Sequence, residues 1–120
     1  MNHSEHLNIV FEALVSEHRR AIIYTLSLQP RSISQLADQQ KLSLPAIYKH
    51  IRVLESAKLI RRKKSGRTNF LALNADTLGV LQRWLMQYHT GWGTRAETLE
   101  NYVASIERTD LQLTNERTKR

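Results

Sequence analysis

The side chains best equipped for chemistry in this chain are hydroxyls, a phenol and cations set at helical spacing. Ser43, Leu44, Pro45, Tyr48, Lys49 and Arg52 fall on one side of a helical stretch, and Ile47, His50, Ile51 and Leu54 fall on the other at i, i+3, i+4 and i+7. Such a polar side can meet the edges of bases in a DNA major groove. Leu44 and Tyr48 suit thymine methyls, Ser43 and Tyr48 can bond phosphate or base, and Lys49 and Arg52 can reach guanine or phosphate. The charge around this stretch points the same way. Nine of the eighteen Lys and Arg residues lie between Lys41 and Arg67, with Glu55 the only acid, so this window is more positive than the chain's net +7. A localised basic surface is the footprint of a polyanionic partner, most often nucleic acid.

Just beyond, Leu59-Ile60-Arg61-Arg62-Lys63-Lys64 and Asn69-Phe70-Leu71-Ala72-Leu73 flank Ser65-Gly66, which predicts a hairpin over 59–73. Side chains alternate across a strand, so the four consecutive cations cannot share one face. Arg62 and Lys64, with Ser65, Gly66 and Arg67 at the turn, are the expected phosphate contacts of the hairpin. Ser32 and Gln35 flank the same surface and fit a capping box that opens the preceding helix.

Other chemistries lack their residues. With no cysteine there is no disulfide or thiolate metal site. The histidines do not converge with carboxylates at ligand spacing, and His50 reads as a half-buried, hydrogen-bonded side chain. No metal site, cofactor or catalytic residue is expected, and an enzyme is not the reading. No apolar run is long enough to span a bilayer, and the start from Met1 to His6 does not read as an export signal, so a soluble, cytoplasmic protein without a membrane partner is expected.

The elements that must position these residues follow from periodicity and caps. Leu7, Val10, Phe11 and Leu14 predict a first helix over about 5–15. Ser16 caps a second that stops at Pro30, Ser32 opens a short third, and Ser43 caps a fourth over 43–56 with Pro45 in its first turn. After the hairpin, Leu78, Leu81, Leu85, Tyr88, Trp92, Leu99, Tyr102 and Ile106 follow steps of three and four, with Arg95 at the one polar stop, the seam of a helix that pairs with another. Gly91 and Gly93 predict a kink or a division into two helices. The expected fold is mainly α with a small β-hairpin: a winged helix-turn-helix domain over 1–108, dimerising through its first and last helices at 5–15 and 75–108. Residues 109–120 read as a polar, disordered tail.

Glu17-His18-Arg19-Arg20-Ala21-Ile22-Ile23, Ile33-Ser34-Gln35-Leu36-Ala37, and the run from Leu42 to Glu55 resemble the ArsR/SmtB-type winged-helix repressors. Leu59 to Arg67 is similar to that family's wing, and Leu73-Asn74 to its exit into the last helix. The resemblance covers about residues 5–106 and implies a homodimeric repressor that binds double-stranded operator DNA. Tyr48 stands where members often carry Ser, and Lys58 where glycine is usual. The cysteine box and the terminal-helix ligands of the metal sensors are absent. This places the chain beside the non-metal branch, with room for an effector of unidentified chemistry. Two alternatives stay open from the residues: a winged-helix module that binds proteins, and an architectural DNA binder without an operator.

Overall fold

Local hydrogen bonding starts and stops most of the helices. The computed structural model describes residues 3–88 and 95–118, and Gly91, Trp92 and Gly93 lie outside the described residues. The elements in chain order are α1 (His3–Ala13), α2 (Glu17–Leu28), β1 (Arg31–Ser32), α3 (Ile33–Gln40), α4 (Leu44–Ser56), β2 (Ile60–Ser65), β3 (Thr68–Leu73), α5 (Ala75–Met86) and α6 (Arg95–Thr118). Ser16 Oγ accepts from the Arg19 amide and caps α2, which ends ahead of Pro30 with Gln29 extended, as a residue before proline prefers. At α3 the capping box is complete: Ser32 Oγ accepts from the Gln35 amide at 3.2 Å, and Gln35 Oε1 accepts from the Ser32 amide at 2.9 Å. Ser43 Oγ accepts from the Ala46 amide, with Pro45 in the first turn of α4.

Two helix ends carry lysine where glycine would be relaxed. Lys41 follows α3 and Lys58 follows α4, with φ of 57° and 60°. In both, the helix closes with the paired reverse bonds of a Schellman motif: Leu42 to Ala37 O and Lys41 to Asp38 O, then Leu59 to Leu54 O and Lys58 to Glu55 O. The Lys58 carbonyl is then clamped from α5. It accepts from Asn74 Nδ2 at 2.8 Å and from the Thr77 hydroxyl, while the Asn74 amide donates to Leu59 O at 2.8 Å.

The sheet is larger than the expected hairpin. Three antiparallel strands run in the order β1-β3-β2. Sequence periodicity does not reveal β1, which is two residues long and exists by pairing Arg31 with Leu71 and Ser32 with Phe70. The core is built from Val10, Ala13, Ile22, Leu26, Ile33, Leu36, Ile47, Ile51, Leu54, Leu59, Ile60 and Leu71. Seen from α4, this core is the stripe of Ile47, Ile51 and Leu54, all fully buried. That burial fixes which side of α4 faces outward.

Two compact units divide the chain, Met1–Leu85 and Met86–Arg120, where the sequence predicts one domain over 1–108. In the second unit, α6 continues to Thr118, through the stretch read as a disordered tail. That expectation is corrected here: Leu113 lies seven residues beyond Ile106, which lies seven beyond Leu99, so the apolar repeat carries on. Thr109 and Thr114 direct their hydroxyls back to the carbonyls of Ser105 and Asp110. No helix among the described residues is long and apolar enough to cross a membrane.

Candidate nucleic-acid interface

Three local starts converge on one surface. The first turn of α3, the first turn of α4 and the turn joining β2 to β3 line a cleft of about 130 Å³, bounded by Ser32, Ser34, Leu44, Tyr48, Arg67 and Asn69 among others. The structure thus brings together Ser32, Leu44, Tyr48 and Arg67 of the sequence-predicted contacts. It adds Ser34 and Asn69, which periodicity alone does not single out. Ser34 is exposed in the first turn of α3, and Asn69 is two residues past Arg67 on β3.

Ser43, Leu44, Pro45, Lys49 and Arg52 are exposed on α4, and Tyr48 is half-buried with its ring against the core. Lys49, Arg52, Lys64 and Arg67 make no ion pair among the described residues. Their charge is available to phosphate. Gly66 sits first in the two-residue turn between Ser65 and Thr68, with φ of 61°, a conformation glycine adopts without strain. Ser32 and Gln35 are already engaged in capping α3, so their part is to fix the start of that helix at the cleft.

Arg62 has a partner on α4. Its guanidinium lies 2.7 Å from Glu55 Oε1 and 5.9 Å from the centre of the Tyr48 ring. Both charged side chains of this pair are about two-thirds shielded from water. Arg62 therefore bonds α4 from β2, an engagement that alternation along β2 does not reveal. Arg61 points to the other face and pairs loosely with Asp76 at 3.6 Å.

Behind α4, Arg19 collects several groups. Its guanidinium donates to Ala13 O at 2.6 Å and Glu12 O at 3.1 Å, satisfying the end of α1, and its Nη1 lies 3.2 Å from His50 Nδ1. Because arginine only donates, that bond needs a neutral His50 accepting at Nδ1. Burial, the Arg19 charge and then His18 push the His50 pKa below its ordinary 6.5. His18 in turn bonds Gln40 through Nδ1 at 3.0 Å. His50 is thus a bonded, half-buried side chain, in line with its place on the inner stripe. Among the described residues no group of three or more His, Cys, Asp or Glu could hold a metal ion.

The residues expected at a subunit interface separate into two sets. Val10 is fully buried in the core, so it offers no surface to a partner, and that assignment is corrected. Leu14, Leu78 and Leu81 are partly buried against the same core, and Leu7 is half-buried. Phe11 keeps 38% of its surface and meets Trp84 edge-on, ring centres 5.0 Å apart. Leu85, Tyr88, Leu99, Tyr102 and Ile106 are exposed, and Trp92 is outside the described residues.

Comparison with known proteins supplies the context. A family model described as a helix-turn-helix domain matches residues 14–63. An HTH-type transcriptional regulator of Mycobacterium tuberculosis is 30% identical over 67% of this chain and 75% of its own length. The transcriptional repressor SdpR of Bacillus subtilis is 26% identical over 68% of this chain and 91% of its own. An uncharacterized HTH-type regulator of Methanocaldococcus jannaschii is 45% identical over 41% of this chain, a match spanning only 52% of that relative. Among solved structures, a crystal structure titled as an ArsR family transcriptional regulator superposes with a TM-score of 0.66 and 36% identity, covering 70% of this chain and 87% of that one. A homodimeric winged helix-turn-helix DNA-binding domain from Mycobacterium bovis shares the fold at a TM-score of 0.58 and 17% identity, over 71% of this chain and 85% of that one.

Proposed function

Because this chain belongs to the ArsR family of winged helix-turn-helix, DNA-binding transcriptional regulators, we propose that it is a homodimeric repressor of a near-palindromic operator. The observation that carries this reading is the cleft where α3, α4 and the wing turn meet, flanked by cations that have no ion-pair partner among the described residues. Helix α4 enters the major groove and reads bases with Ser43, Leu44, Tyr48 and Lys49. Arg52, Lys64 and Arg67 hold phosphate and set affinity. Arg62 keeps Tyr48 and the helix in register with the wing through Glu55.

A palindrome requires two copies, one recognition helix per half-site. On α6 the exposed Leu99, Ile106 and Leu113 recur every seven residues, the pattern of a helix that packs on a mate. Repression is supported by the named repressor among its relatives. With no cysteine in the chain, the proposed regulator does not work by thiolate metal sensing.

Binding-site selection from genomic DNA tests this reading and is expected to return a near-palindrome with half-sites one helical turn apart. Failure to retain any DNA at about 50 mM salt, where phosphate contacts still hold, would refute it. Uniform, unselective retention would identify an architectural binder instead.

A further inference from the structure

The sheet has a second face that the DNA reading does not use. Register places Lys63, Phe70 and Ser32 in one cross-strand row and Arg61 and Ala72 in the next, opposite in direction to the buried Ile60 and Leu71. Arg61, Lys63, Phe70 and Ala72 of these rows, with Pro30 and parts of Arg62 and Leu71, line an open groove of about 410 Å³, a size that accepts a few side chains. Its floor is apolar: Phe70 keeps 40% of its surface, and Ala72 and Pro30 lie beside it. Cationic Arg61 and Lys63 rim it, and none of its lining residues is acidic.

DNA is a poor occupant for such a floor, because phosphate and sugar favour polar, cationic surfaces. A second observation selects the charge of the occupant. Arg61 already attracts a carboxylate, Asp76, at 3.6 Å, and both side chains stay more than two-thirds exposed. That pair is screened by water and is easily exchanged.

We propose that this outer face of the wing docks an acidic segment of a partner protein through an aromatic or aliphatic anchor. The anchor covers Phe70, Ala72 and Pro30, and flanking carboxylates meet Arg61 and Lys63. Such anchor-and-rim surfaces concentrate binding in one or two buried side chains. The face is distinct from the cleft, so a DNA-bound regulator can hold its partner at the same time.

The test is anisotropy with a short labelled peptide of aspartates flanking one phenylalanine and one leucine. The intact protein is expected to bind it, Phe70→Ser and Lys63→Glu each to weaken binding about tenfold, and a peptide with serine at both anchors to bind far less. Lys63→Glu alters only an exposed side chain, so the test stands even where Phe70→Ser fails to fold. No binding at about 1 mM peptide, equal binding by Lys63→Glu, or equal binding of the serine peptide would each overturn the proposal. So would displacement of the peptide by duplex DNA, which would put it on the cleft. A shift in oligomeric state in either variant would assign the face to a second copy and overturn it too.

Discussion

Replacing Glu55 by glutamine separates two roles for Arg62, because it removes a negative charge from the last turn of α4 and leaves every cation in place. If Arg62 were a phosphate contact, the variant would free it and tighten DNA binding on any sequence. If Arg62 positions α4, the loss of its 2.7 Å ion pair loosens Tyr48 beneath it and weakens binding to the operator. The pair is partly shielded, so its worth lies between an exposed ion pair and a hydrogen bond to a buried charge, about 1–2 kcal/mol. The amide introduced by Glu55→Gln keeps a neutral bond, which leaves an expected loss of about 1 kcal/mol, or roughly fivefold in operator affinity. Non-specific affinity should be unchanged or slightly higher, so the ratio between operator and scrambled duplex falls. Anisotropy titrations of both duplexes across a salt series read these quantities together. In the same series, Lys64→Ala should lower the salt slope by about 0.9, and Arg62→Ala by clearly less. Tighter binding of Glu55→Gln to both duplexes, with equal slope losses for the two alanine variants, would refute the positioning role.

Three further outcomes are expected. Lys58→Gly should raise stability by about 0.5–1 kcal/mol by relieving the left-handed turn, and a thermal midpoint that fails to rise would count against the strain. His50 has a folded pKa below its ordinary 6.5, so the unfolded chain takes up the proton first. Its stabilising contribution is then complete above 6.5 and is lost as pH falls toward the folded value. Denaturation midpoints between about pH 7.5 and 5.5 should fall in the native chain and less in His50→Gln. Equal falls would remove His50 as the cause. Ile106→Glu should give monomers in sedimentation at concentrations where the native chain is dimeric, and an intact dimer would exclude this face of α6 as the contact.

What the sequence reveals here is whatever depends on neighbours along the chain. Ser16, Ser32 with Gln35, and Ser43 announce the starts of α2, α3 and α4 because each cap bonds an amide three residues away. The stripe of Ile47, Ile51 and Leu54 is equally local. Contacts across elements are not legible in the same way. Glu55 and Arg62 meet only because the turn at Lys58 folds β2 back beside α4, and β1 exists only once β3 is in place. An apolar stripe also looks the same whether it faces its own core or another subunit, which is why periodicity alone assigns Val10 to an interface. At the end of α6, polar composition masks a repeat that Leu113 continues.

The clamp on Lys58 has a consequence for how this protein can change. The hairpin from Ile60 to Leu73 leaves and returns to one point, held by Asn74 and Thr77 against the end of α4. The closure at its base does not depend on what happens at Gly66. Two residues added at that tip would double the turn and cost about 0.6 kcal/mol in closure entropy, while α4 and α5 keep their places. Reach along the duplex and choice of bases can therefore vary separately, the first through insertions at an exposed turn and the second through substitutions on a fixed helix.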